Sequence, residues 1–197
     1  AAFIAIAVLT VVIAIATMIA LPRLTPDSNG GLRAELRVFQ RPKLWLIMAT
    51  STLIIGATFA AFSYFAPILI EVTGFSEAIV PLLLLGYGAA TVIGNIIVGR
   101  LAQSPTISVI VAGLTLNTVF LTGFALLAGI PAAAIIAMAG IGLVGITMNP
   151  AMITRVQRVG NTGSLVQTVH SSFITLGVVI GSWIGGLGIN AYGLRAP

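Results

Sequence analysis

The sequence predicts an all-α protein that crosses a membrane several times, and two observations carry that prediction. Of the 197 residues, 58% are hydrophobic and only 7% are charged, and the apolar residues occur in long runs. The mean hydropathy is +1.16. Soluble domains are about 45–50% apolar and about 25% charged, so a soluble chain of this length could not cover so much apolar surface. The same composition excludes intrinsic disorder, which requires low hydrophobicity and high charge.

Six apolar runs of bilayer length divide the chain. At about 1.5 Å per residue, twenty helical residues cross a hydrocarbon core of about 30 Å. The runs are apolar on all sides, which favours helices over the strict alternation of barrel strands. The predicted spans are Ala1–Leu21, Leu44–Ile70, Ala78–Gly99, Thr106–Ala128, Pro131–Ile153 and Gly163–Ile189.

The loop charges predict how these spans are oriented. Basic loops stay in the cytoplasm, and with alternating spans eight of the nine basic residues fall on one side. We therefore expect a multi-pass protein of the cell inner (plasma) membrane, with cytoplasmic basic loops and both termini of this chain extracytoplasmic. The net charge of +5 is then a topology signal, and no nucleic-acid partner is expected. The basic residues of that side are Arg23, Arg33, Arg37, Arg41, Lys43, Arg100, Arg155 and Arg158.

A long polar stretch follows the first span. Its turn cluster, Asp27–Gly31, is rich in Gly, Asn and Ser. Beyond it Leu32, Leu36 and Phe39 recur at helical spacing with charged residues between them. That pattern is typical of a short amphipathic helix on the membrane surface, and an irregular polar linker is the alternative.

The second and third spans carry polar groups within mostly apolar sequence. Tyr64 lies about two turns from the outer end of the second span, where it suits ligand contact, interfacial anchoring or helix packing. Pro67, three residues after Tyr64, predicts a kink in this span. Tyr87 and Thr91 are the polar residues nearest mid-membrane in the third span.

The fourth and fifth spans differ in the role expected of their polar residues. Asn117 in the fourth is expected to bond a neighbouring helix. In the fifth, Pro150 follows Asn149 and removes a backbone hydrogen bond near the cytoplasmic end. Carbonyl groups freed in this way are tolerated where a helix lines a cavity.

The sixth span opens with hydrogen-bonding side chains, which should face a cavity, a loop or another helix. They are Gln167, Thr168, His170, Ser171, Ser172 and Thr175. His170 is the only titratable group well inside a span. It suits a proton relay, a substrate donor or a bond to a neighbouring helix. Gly177, Gly181 and Gly185 then follow at intervals of four, which predicts a helix-packing face.

Catalytic and metal chemistry find no support in the spans. There is no cysteine, and no deep carboxylate, paired acids or cluster of His, Asp and Glu lies within them. The sequence therefore predicts no enzyme activity, no cofactor and no metal site.

The loop after the third span carries the most specific motif, Gly94-Asn-Ile-Ile-Val-Gly-Arg-Leu-Ala-Gln103. It resembles the Gly-x-x-x-x-Gly-Arg-Leu-Ala-Asp loop of the major facilitator superfamily, in its second copy among bacterial drug:proton antiporters of the chloramphenicol-resistance and arabinose-efflux-like branch. Three further stretches are similar to that branch, and the resemblance covers essentially the whole chain. They are Leu32–Arg37 with Arg41–Trp45, Thr73–Ser76, and Leu176–Gly186.

The resemblance implies an arrangement of the chain. Residues 1–21 would be the last helix of an N-terminal bundle, family helix six, and residues 22–43 the central cytoplasmic loop with its interfacial helix. Residues 44–197 would be the C-terminal bundle without its final helix, so the chain carries family helices six to eleven. It also begins inside an apolar run without a methionine. We therefore expect a piece of a longer transporter whose N-terminal half is a partner of this chain.

The resemblance also implies roles for the loop motif. Gly94 and Asn95 belong to it, Gly99 would permit the tight turn, and Arg100 would make a cytoplasmic gate contact. The family's acid falls at Gln103, which weakens that contact from charge-assisted to neutral.

The function implied is proton-driven efflux of a small amphipathic, drug-like compound across the lipid bilayer by alternating access. The alternatives are a sugar or metabolite exporter of the same fold, or a non-transporting membrane subunit. Candidate residues of the substrate cavity, chosen for polarity and depth, are Tyr64, Tyr87, Thr91, Asn149, Gln167 and His170.

Overall fold

The computed structural model describes residues 2–20, 32–102, 106–160 and 163–194, which are mostly helical with no strand among them. The chain divides into two compact units, residues 1–32 and 33–197. The first contains helix α1 (Ala2–Ala20), which is apolar apart from Thr10 and Thr17. Five helical stretches of the second unit are long and apolar enough to cross a membrane. The all-α polytopic fold is therefore confirmed.

The second unit opens with two helices near the basic residues of the chain. Helix α2 (Leu32–Val38) forms where the sequence predicts a short amphipathic helix, not an irregular linker. Helix α3 (Pro42–Phe62) starts with proline in its first turn, where the missing N–H costs no helical bond. We call the end of this unit that carries Arg41 and Arg100 the basic end.

The predicted kink of the second span appears one turn before its proline. A proline cannot bond the carbonyl four residues earlier, and its ring crowds that group. The chain accordingly breaks at Ser63–Tyr64, continues as α4 (Phe65–Pro67) and ends as a π-helix, Ile68–Val72.

Helices α5 (Val80–Leu101), α6 (Thr106–Leu127) and α7 (Pro131–Val144) follow, and α7 packs against both of the others. The fifth predicted span is not continuous. A 3₁₀ turn, Ile146–Met148, interrupts it between α7 and α8 (Asn149–Val159). This break again lies about one turn before a proline, here Pro150, for the same reason.

The last helix, α9 (Ser164–Tyr192), makes the most extensive contact of the unit, side by side and parallel with α3. Its three spaced glycines face Thr52, Gly56 and Ala60 of α3. A Cβ on Gly181 would collide with the carbonyl oxygen of Gly56 and lie 2.7 Å from its carbonyl carbon. Small residues at these positions allow the two backbones to touch, which is how helices associate closely in lipid.

Candidate functional site

Helix α9 separates its polar residues onto two sides. His170 is buried with Val166 and Gly177 on the side toward α3, whereas four hydroxyl residues of the second to fourth helical turns are exposed. We call these four the hydroxyl stripe: Thr168, Ser171, Ser172 and Thr175. Their spacing of i, i+3, i+4 and i+7 places them along one side of the helix.

The hydroxyl stripe keeps its acceptor capacity. Thr168, Ser172 and Thr175 donate to backbone carbonyls one turn earlier in the same helix, at 2.9–3.1 Å. A hydroxyl that has donated its proton still offers lone pairs to water or to a ligand. The sequence predicts that these residues face a cavity, a loop or another helix, but they are not among its six candidates for the substrate cavity. Their helical spacing is the signal that separates them from His170.

His170 is in the packing between helices, with only 1% of its surface exposed. Its Nε2 lies 3.0 Å from the Ser51 hydroxyl of α3. Ser51 in turn donates to the Ile47 carbonyl at 3.2 Å. Because the serine proton is used in that bond, Nε2–H of the histidine is the donor to Ser51. Of the roles predicted for His170, the geometry matches the bond to a neighbouring helix.

Tyr64 also joins α3 and α9. Its hydroxyl donates to the Ser182 carbonyl at 2.8 Å, and its ring lies over Gly185 and Gly186. Beside it, the Ser63 and Ser182 hydroxyls are 2.7 Å apart. The side chain is half-buried, and its polar atom is engaged in holding the two helices together.

Tyr87 lies in an aromatic cluster and is 5% exposed. Its ring centroid is 5.1 Å from that of Phe62 and 5.5 Å from that of Phe65. Its hydroxyl meets no donor or acceptor in hydrogen-bonding geometry within the described residues. Thr91, one turn on, is half-buried and donates to the Tyr87 carbonyl at 3.0 Å. An unpaired buried hydroxyl is costly, so the Tyr87 hydroxyl is well placed to take a hydrogen-bond partner.

Three amides carry unpaired buried atoms in the part of the chain that is described. They are Oδ1 of Asn149, Nε2 of Gln167 and Oδ1 of Asn117. Asn149 begins α8, directly after the 3₁₀ break, and Gln167 lies in the first turn of α9. Asn117 has used its other atom, since its Nδ2 donates to Thr58 of α3 at 3.1 Å. That bond agrees with the interhelical role predicted for Asn117.

The loop motif lies at the basic end, within α5. Gly94 packs against α7, where a Cβ would collide with the Leu143 carbonyl. Asn95 and Arg100 are exposed. Gly99 differs from expectation: helix α5 continues through it to Leu101, and only Gly74 and Gly193 have positive φ among the described glycines. It therefore does not form the turn. Gln103 lies outside the described residues.

A cavity of about 400 Å³ opens between α5, α6 and α7. It is lined almost entirely by apolar side chains, such as Ile97, Leu116 and Val144, and holds none of the six predicted cavity residues. Within the described ranges, no group of three His, Cys, Asp or Glu residues could bind a metal ion.

These features define a polytopic helical membrane protein whose polar groups lie on helix faces inside the bundle and along α9. Its sequence matches the model of the Major Facilitator Superfamily over residues 1–182. The chain belongs to this family of transporters. No solved structure matches it.

Relatives agree with the family. The chain is 29% identical over 191 residues to the chloramphenicol resistance protein of Streptomyces lividans, covering 95% of this chain and 48% of that one. It is 28% identical to the uncharacterized MFS-type transporter YtbD of Bacillus subtilis, covering 87% and 45%. The inner membrane transport protein YdhP of Escherichia coli K12 is 28% identical, with coverage of 96% and 49%. The chain thus spans about half the length of these relatives.

Proposed function

We propose that this chain forms part of a carrier that exports small amphipathic compounds by proton-coupled alternating access. Its partners are then the solute, protons, the surrounding lipid and the remaining half of the transporter. Membership of a transporter family supports the general activity. The similarity to a chloramphenicol resistance protein supports a drug-like solute.

The hydroxyl stripe is the observation that carries the proposal. Four hydroxyls in a row are exposed on a membrane-spanning helix, on the side away from its glycine contact with α3. A surface made only for lipid carries mostly apolar residues, as Val179 and Trp183 do on the same side further along α9. Polar residues inside a membrane protein face water-filled cavities or other helices. We assign this side of α9 to the solute path.

The other candidate residues form a sparse polar lining in this proposal. Tyr87 and Thr91 of α5, Asn149 of α8 and Gln167 of α9 supply the polar groups. Aromatic rings surround Tyr87. A few polar anchors in an apolar, aromatic surface suit an amphipathic solute better than a sugar, which needs many hydrogen bonds. Tyr64 and His170 hold α3 against α9 behind this surface.

Two further features fit the proposed mechanism. The basic end would face the cytoplasm, as the positive-inside rule predicts, and the exposed Arg100 would serve there as the gate contact. Glu71 is the only acidic residue within the described spans, and it lies near the end of its helix. The carboxylate that couples protons would then lie in the other half of the carrier.

The test uses the intact carrier in everted membrane vesicles, with labelled chloramphenicol as the probe. Transport should require a proton gradient. The variant Ser171→Ala/Thr175→Ala should lower kcat/KM by about threefold to tenfold, the effect of losing about 1 kcal/mol of hydrogen bonding. The matched control is Thr118→Ala in α6, an exposed threonine that donates to its own helix at 2.9 Å as Thr175 does at 3.1 Å.

An equal decrease of kcat/KM in the stripe variant and in Thr118→Ala would refute the assignment of the solute path. Accumulation that ignores the proton gradient would refute proton coupling. Transport of sugars in place of amphipathic compounds would support the metabolite-exporter alternative, and no transport by the intact carrier would support a non-transporting subunit.

A further inference from the structure

The segment before α3 is attached to the ends of α8 and α9. The Glu35 carboxylate of α2 accepts a hydrogen bond from the Leu165 backbone N–H at 3.1 Å. The Arg41 guanidinium donates to the Val159 carbonyl at 2.8 Å. Val159 is the last residue of α8, and Leu165 is the second residue of α9. The two side chains therefore bond the end of α8 and the start of α9.

Each charge matches the helix end that it contacts. The first N–H groups of a helix and its last carbonyls have no partner within the helix, and the helix dipole makes the start positive and the finish negative. Glu35 brings a negative group to the start of α9, and Arg41 brings a positive group to the finish of α8. Exchanging the two charges would place each beside the wrong end.

Apolar contacts hold the same segment in place. Val38 of α2, Leu44 of α3 and Val166 of α9 are buried in one cluster. Trp45 donates from its ring nitrogen to the Phe39 carbonyl at 2.7 Å, and the two rings contact each other in a tilted arrangement with centroids 5.9 Å apart. The contacts of Glu35 and Arg41 thus lie beside well-packed apolar and aromatic side chains.

We infer that Glu35 and Arg41 act together as a clasp that fixes α2, the end of α8 and the start of α9 as one body at the basic end of the bundle. The clasp fixes the first turn of α9, which carries Gln167 and leads into the hydroxyl stripe. A displacement of α2 would then be passed to α9 through these contacts. This device is separate from the proposed function, because it does not depend on which solute is carried.

The test is amide hydrogen exchange of the intact carrier in lipid nanodiscs, resolved at Leu165. Glu35→Ala removes the acceptor of that amide and should speed its exchange about threefold to tenfold. Arg41→Gln should speed the same amide by a similar factor, although Arg41 does not touch it, because the clasp opens as a unit. The control Arg37→Ala changes an exposed residue of the same helix and should leave Leu165 unchanged.

Exchange within α6 shows whether each variant keeps its fold, because α6 packs mainly on α7 and contributes no residue to the clasp. Unchanged α6 exchange together with faster Leu165 exchange in both clasp variants supports the inference. If Arg41→Gln leaves Leu165 as protected as in the parent, the two contacts act separately and there is no clasp. If Glu35→Ala behaves like Arg37→Ala, the carboxylate does not cap α9 at all.

Discussion

The substitution Gly181→Ala tests how α3 and α9 are held together. The added methyl group would collide with the Gly56 carbonyl oxygen and lie 2.7 Å from the Gly56 carbonyl carbon and Cα. Favourable carbon–carbon contacts are about 3.5–4.0 Å. The two backbones must therefore separate by nearly 1 Å, and because α3 and α9 are in contact at three successive glycines, that shift would loosen the whole contact.

The expected cost of Gly181→Ala is about 1–3 kcal/mol, as for an extra methyl group in a well-packed core. The matched control is Gly88→Ala in α5, where nothing lies within 4 Å of the added Cβ. There the better helix propensity of alanine should leave stability unchanged or raise it by up to about 1 kcal/mol. The measurement is reversible unfolding of the intact carrier in mixed micelles. Equal stability of the two variants would refute close backbone packing at Gly181. Gly56→Ala should be milder than Gly181→Ala, since its nearest contact is 3.2 Å.

Three further predictions follow from the same contacts. Ser51→Ala leaves the buried His170 Nε2 without its partner and should lower the free energy of unfolding by about 1 kcal/mol. The control Ser108→Ala, at an exposed serine of α6, should not lower it. Equal effects of the two variants in thermal unfolding would contradict the bond between His170 and Ser51. Tyr87→Phe removes an unpaired buried hydroxyl, so stability should hold or rise by up to about 1 kcal/mol while the KM for an amphipathic solute rises; an unchanged KM would exclude Tyr87 from the lining. Gly94→Ala should destabilise by about 1–3 kcal/mol because it meets the Leu143 carbonyl, and Gly99→Ala, with open space around it, should be tolerated in the same unfolding assay; the reverse order would contradict the packing of α5 on α7.

The sequence predicted the helices better than the breaks within them. Spans of apolar residues give helix positions directly, since length and hydropathy are local properties. The breaks at Ser63–Tyr64 and Gly145 lie one turn before Pro67 and Pro150, because a proline disrupts the carbonyl four residues earlier. The sequence identifies Pro67 and Pro150 as disruptive, whereas the exact position of each break depends on the backbone.

The sequence alone could not decide which polar residues are engaged between helices, for a physical reason. Polarity and depth singled out His170 and Tyr64, but both polar groups are engaged between α3 and α9. Thr168 and Thr175, left out of the predicted cavity, are exposed. The side of a helix on which a residue lies follows from its spacing, whereas the side that meets a neighbour depends on how the helices pack.

By itself the sequence determined that this is an all-α membrane protein, and it carried a family motif that the comparison with known proteins bears out. These properties follow from composition, run length and local motifs, which do not require knowledge of contacts. The tertiary structure decided that Gly181 touches Gly56, that His170 bonds Ser51 and that Glu35 reaches Leu165. Each of these pairs is separated by more than a hundred residues along the chain. Such pairings depend on the rotation and register of packed helices, which no local pattern specifies.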